Sequence, residues 1–237
     1  MGEMIAILQQ GFGLVLLTIV AFLIGQWAHR VSGGFPLFTP LLVGIALTAT
    51  VLIALDIPYE LYQKQTALLH SLLAPATVAL ALPIYQHRQQ LMAHPQLILF
   101  AVFFGSVSSI SSALMILKLL GASHSAVLSM VPKSVTTPIA MQISQTIGGI
   151  PSITAMMVIL TGAVGYCLGP VLFRIMGVND PIVRGIAYGT SSNVLGIARA
   201  TEESELTAAF AALCMAINGL ITAIAIPSIY YWFYAAS

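Results

Sequence analysis

The heptapeptide Pro-Lys-Ser-Val-Thr-Thr-Pro at residues 132–138 decides how this chain is interpreted. Its prolines, Pro132 and Pro138, prevent one continuous hydrogen-bonded helix. No charged residue occurs in the 40 positions between Lys133 and Arg174. In lipid, the backbone groups that such a break frees must be satisfied by protein or by a wet cavity. A cation, three hydroxyls and a broken helix in this setting predict a binding site rather than a simple span.

The composition of the surrounding chain is that of a membrane protein. Only 6% of the 237 residues are charged and 59% are hydrophobic, whereas soluble domains carry about 25% charged residues. Uncharged runs cover residues 4–28, 31–55, 89–117 and 206–237, each long enough for the ~20 residues that cross a bilayer. These runs do not alternate as barrel strands do. The predicted fold class is an all-α polytopic membrane protein, a single integral domain over 1–237.

Six clear spans and two ambiguous segments are expected. The clear spans cover about residues 5–27, 37–55, 65–85, 96–120, 152–176 and 206–232, and the ambiguous segments cover 125–147 and 181–201. Pro75 and Pro83 interrupt the third span. We expect two repeats, about 1–120 and 121–237, packed so that broken helices meet near the membrane midplane.

A second polar stretch, Gly-Thr-Ser-Ser-Asn-Val-Leu-Gly at 189–196, lies at the centre of the second ambiguous segment. Ser, Thr and Asn side chains compete for backbone hydrogen bonds, and the bracketing Gly189 and Gly196 permit unwinding. Transporters place such discontinuous helices at the midplane, where the positive ends of half-helices face anionic groups. The two stretches therefore predict a site for a small organic anion.

The predicted site residues carry positive charge or hydrogen-bonding capacity. The expected anion-binding residues are Lys133, Ser134, Thr136, Thr137, Thr190, Ser191, Ser192, Asn193 and Arg199, and the expected helix breakers are Pro132, Pro138, Gly189 and Gly196. Scattered histidines and the absence of a nucleophile–base pair indicate no catalytic site, metal site or cofactor. The net charge of +1 gives no sign of nucleic-acid binding.

Plainer interpretations of these residues stay open at this point. Residues 177–205 are also compatible with a surface loop, and Lys133 with a lysine that extends to the lipid headgroups. Arg199 stands at helical spacing from Glu202 and Glu203, which suits a surface ion pair.

Loop charges give an expected orientation. Basic loops favour the cytoplasm, which places Arg88 inside and Lys118 outside. If residues 125–147 enter and leave on one face, Arg174 and Arg184 are cytoplasmic and the glutamates after residue 201 are external. If the segment crosses fully, these assignments reverse.

The polar motifs also carry a family resemblance. Pro-Lys-Ser-Val-Thr-Thr-Pro-Ile-Ala-Met at 132–141, followed by Ile-Gly-Gly-Ile-Pro at 147–151, resembles the signature of the LrgB/CidB family of bacterial membrane proteins. The likeness continues through Arg-Gly-Ile-Ala-Tyr-Gly-Thr at 184–190 and Leu-Gly-Ile-Ala-Arg at 195–199, with a further segment at 72–85. It covers nearly the whole chain.

This resemblance implies a multi-pass protein of the cytoplasmic (inner) membrane, with one of two kinds of activity. The first is transport of small monocarboxylates of the glycolate, glycerate, lactate or pyruvate class, together with an influence on murein hydrolase activity and autolysis. The alternative is an antiholin-like regulatory subunit that acts with a small LrgA/CidA-type partner and carries no solute. A homo-oligomer is compatible with both. Asn193 stands where many members are expected to carry histidine, which argues against a proton-linked role there.

Overall fold

A computed structural model describes residues 12–33, 38–72, 75, 78–79, 81–93 and 95–235, with side chains to residue 232. This part of the chain is helical and contains no strand. Four of its helices have the length and apolar composition to cross a membrane: Gly13–Val31, Pro95–Leu119, Pro151–Ile175 and Glu205–Trp232. The predicted all-α polytopic membrane class is confirmed. Contacts divide the chain into two compact units, Met1–Ala79 and Leu80–Ser237.

The first unit is built on two packed helices, α1 (Gly13–Val31) and α2 (Pro40–Ala54). They approach closely because Gly25 leaves room for the backbone of Pro40: an added Cβ would lie 2.6 Å from the Pro40 carbonyl oxygen. The side chain of Thr39 caps α2 by accepting a hydrogen bond from the Leu42 amide. α2 has 15 residues, fewer than the ~20 expected of a perpendicular span.

The predicted third span does not form one helix in the residues described. Two short helices, α3 (Tyr59–Gln65) and α4 (Ala67–Ser71), meet at Thr66, and α5 (Ala81–Gln86) begins in the second unit. The stretch around Pro75 lies mostly outside the described residues.

The second unit contains three long helices and two helical hairpins. After α6 (Arg88–Ala93), the long helices are α7 (Pro95–Leu119), α10 (Pro151–Ile175) and α12 (Glu205–Ala235). Their observed ends lie within three residues of the predicted ones. Many of their large side chains, such as Phe104, Leu168 and Leu220, are exposed, as expected of surfaces that face lipid.

The first hairpin, hairpin A, covers residues 124–146. It comprises α8 (His124–Met130), a non-helical tip at 131–136 and α9 (Thr137–Thr146). After α9 the chain lies alongside α8, because the Ile150 amide donates to Ser129 Oγ at 2.7 Å and an added Gly148 Cβ would lie 3.8 Å from Leu128. Segment 125–147 therefore enters and leaves on one side.

The second hairpin, hairpin B, is α11 (Pro181–Glu203) folded back on itself at Asn193. A straight helix would place Arg184 and Glu203 about 28 Å apart, yet their side chains form an ion pair of 3.1 Å. The backbones of Tyr188 and Gly196 also touch: an added Gly196 Cβ would lie 2.3 Å from the Tyr188 carbonyl oxygen. Residues 181–203 are thus neither a full span nor a surface loop.

The hairpins enter from opposite ends of the long helices. Near its start, α10 contacts hairpin A, where Thr154 Oγ1 donates to the Ser129 carbonyl oxygen at 2.9 Å. Later on α10, Gly165 and Gly169 contact Ser192 and Tyr188 of hairpin B. α7 runs the other way, because its residues Ile98 and Val102 pack beside Ile186 of hairpin B and its later residue Ser109 reaches the tip of hairpin A.

A long helix followed by a hairpin therefore occurs twice, in opposite directions. Pro95 and Pro151 begin the two long helices, and Gly121 and Gly177 end them in the same positive-φ turn, at φ 68° in both. In each pair the second residue follows the first by 56 positions. This inverted repeat spans residues 95–203. The predicted division of the whole chain near residue 120 stays a prediction.

Candidate functional site

The tip of hairpin A contains Pro132 and is followed by Pro138. α8 is capped by Ser123 and ends at Met130, two residues before Pro132, which cannot donate a backbone hydrogen bond. α9 restarts with Pro138 in its first turn, where the missing amide hydrogen costs nothing. The six residues between the helices place Lys133 at the tip.

Lys133 is bound only by hydroxyl groups in the part of the chain described. Its Nζ donates to Ser109 Oγ at 2.7 Å and lies 3.5 Å from Ser134 Oγ, and the two hydroxyl oxygens are 2.9 Å apart. The ion pairs found among the described residues join Arg184 and Arg199 to Glu202 and Glu203, and none includes this lysine. The partly buried amine of Lys133 thus has no acidic partner among the described residues.

The start of α9 adds a second source of positive potential. First-turn amides of a helix lack carbonyl partners within the helix and carry the positive end of its dipole. Thr136 occupies the N-cap position in an extended conformation, but its side chain accepts no capping hydrogen bond. Thr137 and Pro138 follow in the first turn. The uncapped helix start therefore adjoins the lysine on the same short segment.

The tip of hairpin B is formed by Asn193. Its backbone has φ 47° and ψ −138°, outside the helical region. The side chain makes two hydrogen bonds that stabilise the turn. Nδ2 donates to the Val158 carbonyl oxygen of α10 at 3.2 Å. Oδ1 accepts from the Leu195 amide at 3.4 Å. The returning limb is thus capped by its own asparagine, unlike α9.

Gly189 and Gly196 do not break the helix, contrary to the prediction. Neither has positive φ among the described glycines. Instead they allow close contacts: an added Cβ at Gly189 would lie 2.2 Å from the Ala211 carbonyl oxygen of α12. Small residues serve this packing role in membrane helices.

The hydroxyls of hairpin B are engaged with its own backbone. Thr190 Oγ1 donates to the Ile186 carbonyl oxygen at 2.8 Å, and Ser191 Oγ donates to that of Ala187 at 2.7 Å. Ser192 is buried with its Oγ 2.9 Å from that of Ser191. These hydroxyl groups donate their hydrogen atoms within hairpin B, so towards other partners their oxygens act mainly as acceptors.

Asn218 of α12 joins the two tips. Its Nδ2 donates to the carbonyl oxygens of Ser134 and Thr190, at 3.1 Å each. The two stretches predicted to converge therefore do so, near the middle of α10 and α12. Sequence reasoning missed this residue, although a single amide within an otherwise apolar span is itself a signal.

Arg199 lies elsewhere, at the base of hairpin B. Its Nη1 contacts Glu202 at 2.7 Å and its Nε lies 3.6 Å from Glu203. Arg184 and the Tyr188 hydroxyl also bind Glu203, at 3.1 and 2.8 Å. The ion-pair interpretation of Arg199 is the one that the structure supports, and its charge is balanced without a ligand.

A cavity of about 460 Å³ lies between α7, hairpin A and α12. Its wall is mostly apolar, with the hydroxyls of Ser106, Ser111 and Thr222 among its polar groups. Ser106 and Thr222 also contact Asn218, so the cavity reaches the polar centre of the unit. Within the described residues no group of three or more His, Cys, Asp or Glu side chains has the geometry of a metal site.

Comparison with known proteins gives one consistent relationship. Residues 18–232 match the model of the LrgB-like family. The chain is 35% identical to antiholin-like protein LrgB of Bacillus cereus (strain B4264) over 216 residues, which cover 91% of this chain and 94% of that protein. The same values hold for antiholin-like protein LrgB of Bacillus anthracis (strain CDC 684 / NRRL 3495). No solved structure is significantly similar. Since the family model matches residues 18–232 and the similarity to these relatives covers nearly its whole length, the chain belongs to the LrgB-like family of membrane proteins.

Proposed function

We propose that this protein carries small monocarboxylates across the cytoplasmic membrane. The observation that supports this most directly is Lys133, whose partners among the described residues are hydroxyls and not acids. An unpaired ammonium beside an uncapped helix start favours a bound anion. The nearby hydroxyls of Ser134, Thr136 and Thr137 supply hydrogen-bonding groups for a carboxylate. Thr190, at the opposite tip, approaches this segment through Asn218.

The charge balance favours a monoanion. Lys133 is one formal charge, and Arg199 is neutralised by Glu202 and Glu203. A dicarboxylate would bring a second negative charge into a low-dielectric region without a second free cation. Pyruvate, lactate, glycolate and glycerate each carry one carboxylate, whereas succinate carries two.

Uptake by reconstituted vesicles tests this proposal. We expect counterflow of labelled monocarboxylates, with little uptake of succinate. Lys133→Met should lower uptake about tenfold or more, because a hydrogen bond to a charged group contributes about 1.5–3 kcal/mol. Lys118→Met is the matched control, since that lysine lies exposed at the end of α7 and should be neutral.

Two results would contradict the proposal. Uptake unchanged by Lys133→Met would remove the lysine from recognition. Absence of monocarboxylate uptake, with and without a small LrgA-type partner in the vesicles, would remove transport itself. Thermal unfolding of each variant separates loss of function from loss of folded protein.

A second candidate function is regulation of a small holin-like membrane protein of the LrgA/CidA type. The names of the Bacillus relatives favour it. On this alternative the chain forms a stable complex with that partner, and its effect on lysis does not depend on Lys133. Co-purification of the partner with both the unmodified chain and Lys133→Met, with unchanged lysis, would support regulation over transport.

A further inference from the structure

Asn218 is a fully satisfied amide in the interior of an apolar helix. It is 1% exposed. Its two N–H groups donate to Ser134 and Thr190. Its Oδ1 lies 2.6 Å from Ser106 Oγ and accepts from Thr222 Oγ1 at 3.3 Å. The Ser106 hydroxyl, equally close to the Val102 carbonyl oxygen, can give its one proton to either acceptor.

The two carbonyl groups that Asn218 binds are equivalent positions of the inverted repeat. Thr190 follows Ser134 by 56 positions, the same displacement that relates Gly177 to Gly121. Ser134 lies at the tip of hairpin A and Thr190 just before the tip of hairpin B. The amide therefore stands between the two halves, with one N–H for each.

These carbonyl groups have lost helical partners because the hairpins turn. A buried carbonyl without a hydrogen bond is costly, especially in a membrane. One side chain satisfies both, so the two tips are stabilised by a shared group rather than by separate ones. Loss of the amide should affect both tips together.

We infer that Asn218 is a positioning residue that holds the two hairpin tips against each other and thereby sets the geometry of the anion site. The expected effect of Asn218 on transport rests on the proposed function, whereas its expected effect on the two tips does not. Asn218 does not need to touch the substrate. It acts through the backbone of the residues that precede Thr136 and Ser191.

Hydrogen–deuterium exchange in nanodiscs measures the effect on the tips. Asn218→Leu keeps the approximate size and removes both donors, while Asn218→Asp keeps the acceptor oxygen and removes the N–H groups. In each variant we expect amide exchange at 133–137 and at 190–195 to accelerate by about five- to tenfold. Cys214→Ala, one turn earlier on α12 and also buried, should leave both tips unchanged.

A milder variant covers the case in which Asn218→Leu does not fold. Ser106→Ala leaves the amide in place and removes one of the groups that orient it, so both tips should loosen by a smaller factor. Acceleration at one tip alone, at neither tip, or equally in Cys214→Ala would overturn the inference.

Transport separates this inference from the proposed function. If both hold, uptake falls in the same order as tip protection, from the unmodified chain through Ser106→Ala to Asn218→Leu. If the tips loosen together but the unmodified chain carries no monocarboxylate, the positioning role stands and the proposed function fails. If the unmodified chain transports and the tips do not respond, the proposed function stands and the positioning role fails.

Discussion

At the residue scale, glycines set the distance between helices and an asparagine makes the turn. The sequence indicated a break within residues 189–196, because glycine and asparagine both tolerate unusual backbone angles. It did not indicate which of them adopts positive φ. That choice depends on the Val158 carbonyl of α10, which only the folded chain brings to Asn193.

The packing role of Gly189 can be tested by adding one methyl group. Gly189→Ala should destabilise the protein by about 1–3 kcal/mol, because the new Cβ would meet the Ala211 backbone, which cannot rotate away. Gly219→Ala is the matched control, with its nearest neighbour a flexible Ile139 methyl 3.6 Å away. Thermal unfolding in detergent compares the two. Equal stability of both variants would contradict the close contact.

Asn218 shows a second limit of sequence reasoning at this scale. Lys133, Ser134 and Thr190 were predicted from local composition, and the structure brings their segments together. The residue that joins them lies 28 or more positions away, in an apolar helix with no motif around it. Long-range partners of this kind follow from the fold.

At the element scale, two segments that were expected to break instead reverse direction. Hydropathy and proline positions predicted interruption in residues 125–147, and glycine and polar residues predicted it in 181–201. Neither signal distinguishes a kinked span from a hairpin, because in both structures the backbone groups freed by the break must find hydrogen-bond partners. Contacts between the limbs, such as Tyr188 with Glu203, decide for the hairpin.

Thiol cross-linking distinguishes the two geometries of α11. Arg184→Cys with Glu203→Cys should be joined by a short bismaleimide, since the ion pair brings these positions near each other in the hairpin, whereas they would lie about 28 Å apart in a straight helix. The native Cys167 and Cys214 are first replaced.

Val183→Cys with Val194→Cys serves as the control pair for this experiment. One position lies near the base and the other at the tip, and both are exposed, so no cross-link is expected. Cross-linking of the control pair with none between positions 184 and 203 would contradict the hairpin. Mass after digestion identifies the cross-link.

At the scale of the second unit, the bases of the two opposed hairpins mark opposite ends of the three long helices. Lys118 lies beside the base of hairpin A, whereas Arg174, Arg184 and Arg199 lie at the end of α10 and the base of hairpin B. The positive-inside tendency then predicts that the base of hairpin B lies in the cytoplasm. The glutamates at 202, 203 and 205 lie on that same side, not on the external side expected from the sequence, because hairpin B returns.

Cysteine labelling in intact cells tests this orientation. In a cysteine-free background, Lys118→Cys should react with a membrane-impermeant maleimide from outside. Arg174→Cys and Glu205→Cys should react only after permeabilisation. Labelling of positions 118 and 205 from the same side would contradict the re-entrant path of residues 181–203.

The connections between these elements are short. Residues 120–123, 147–150 and 176–180 join helices in turns of four or five residues, and Ser204 alone separates α11 from α12. This unit therefore presents little protein beyond the headgroups on which a soluble wall hydrolase could dock. We expect any influence on the cell wall to be transmitted by a solute that passes through the bilayer, or by a neighbour embedded in it.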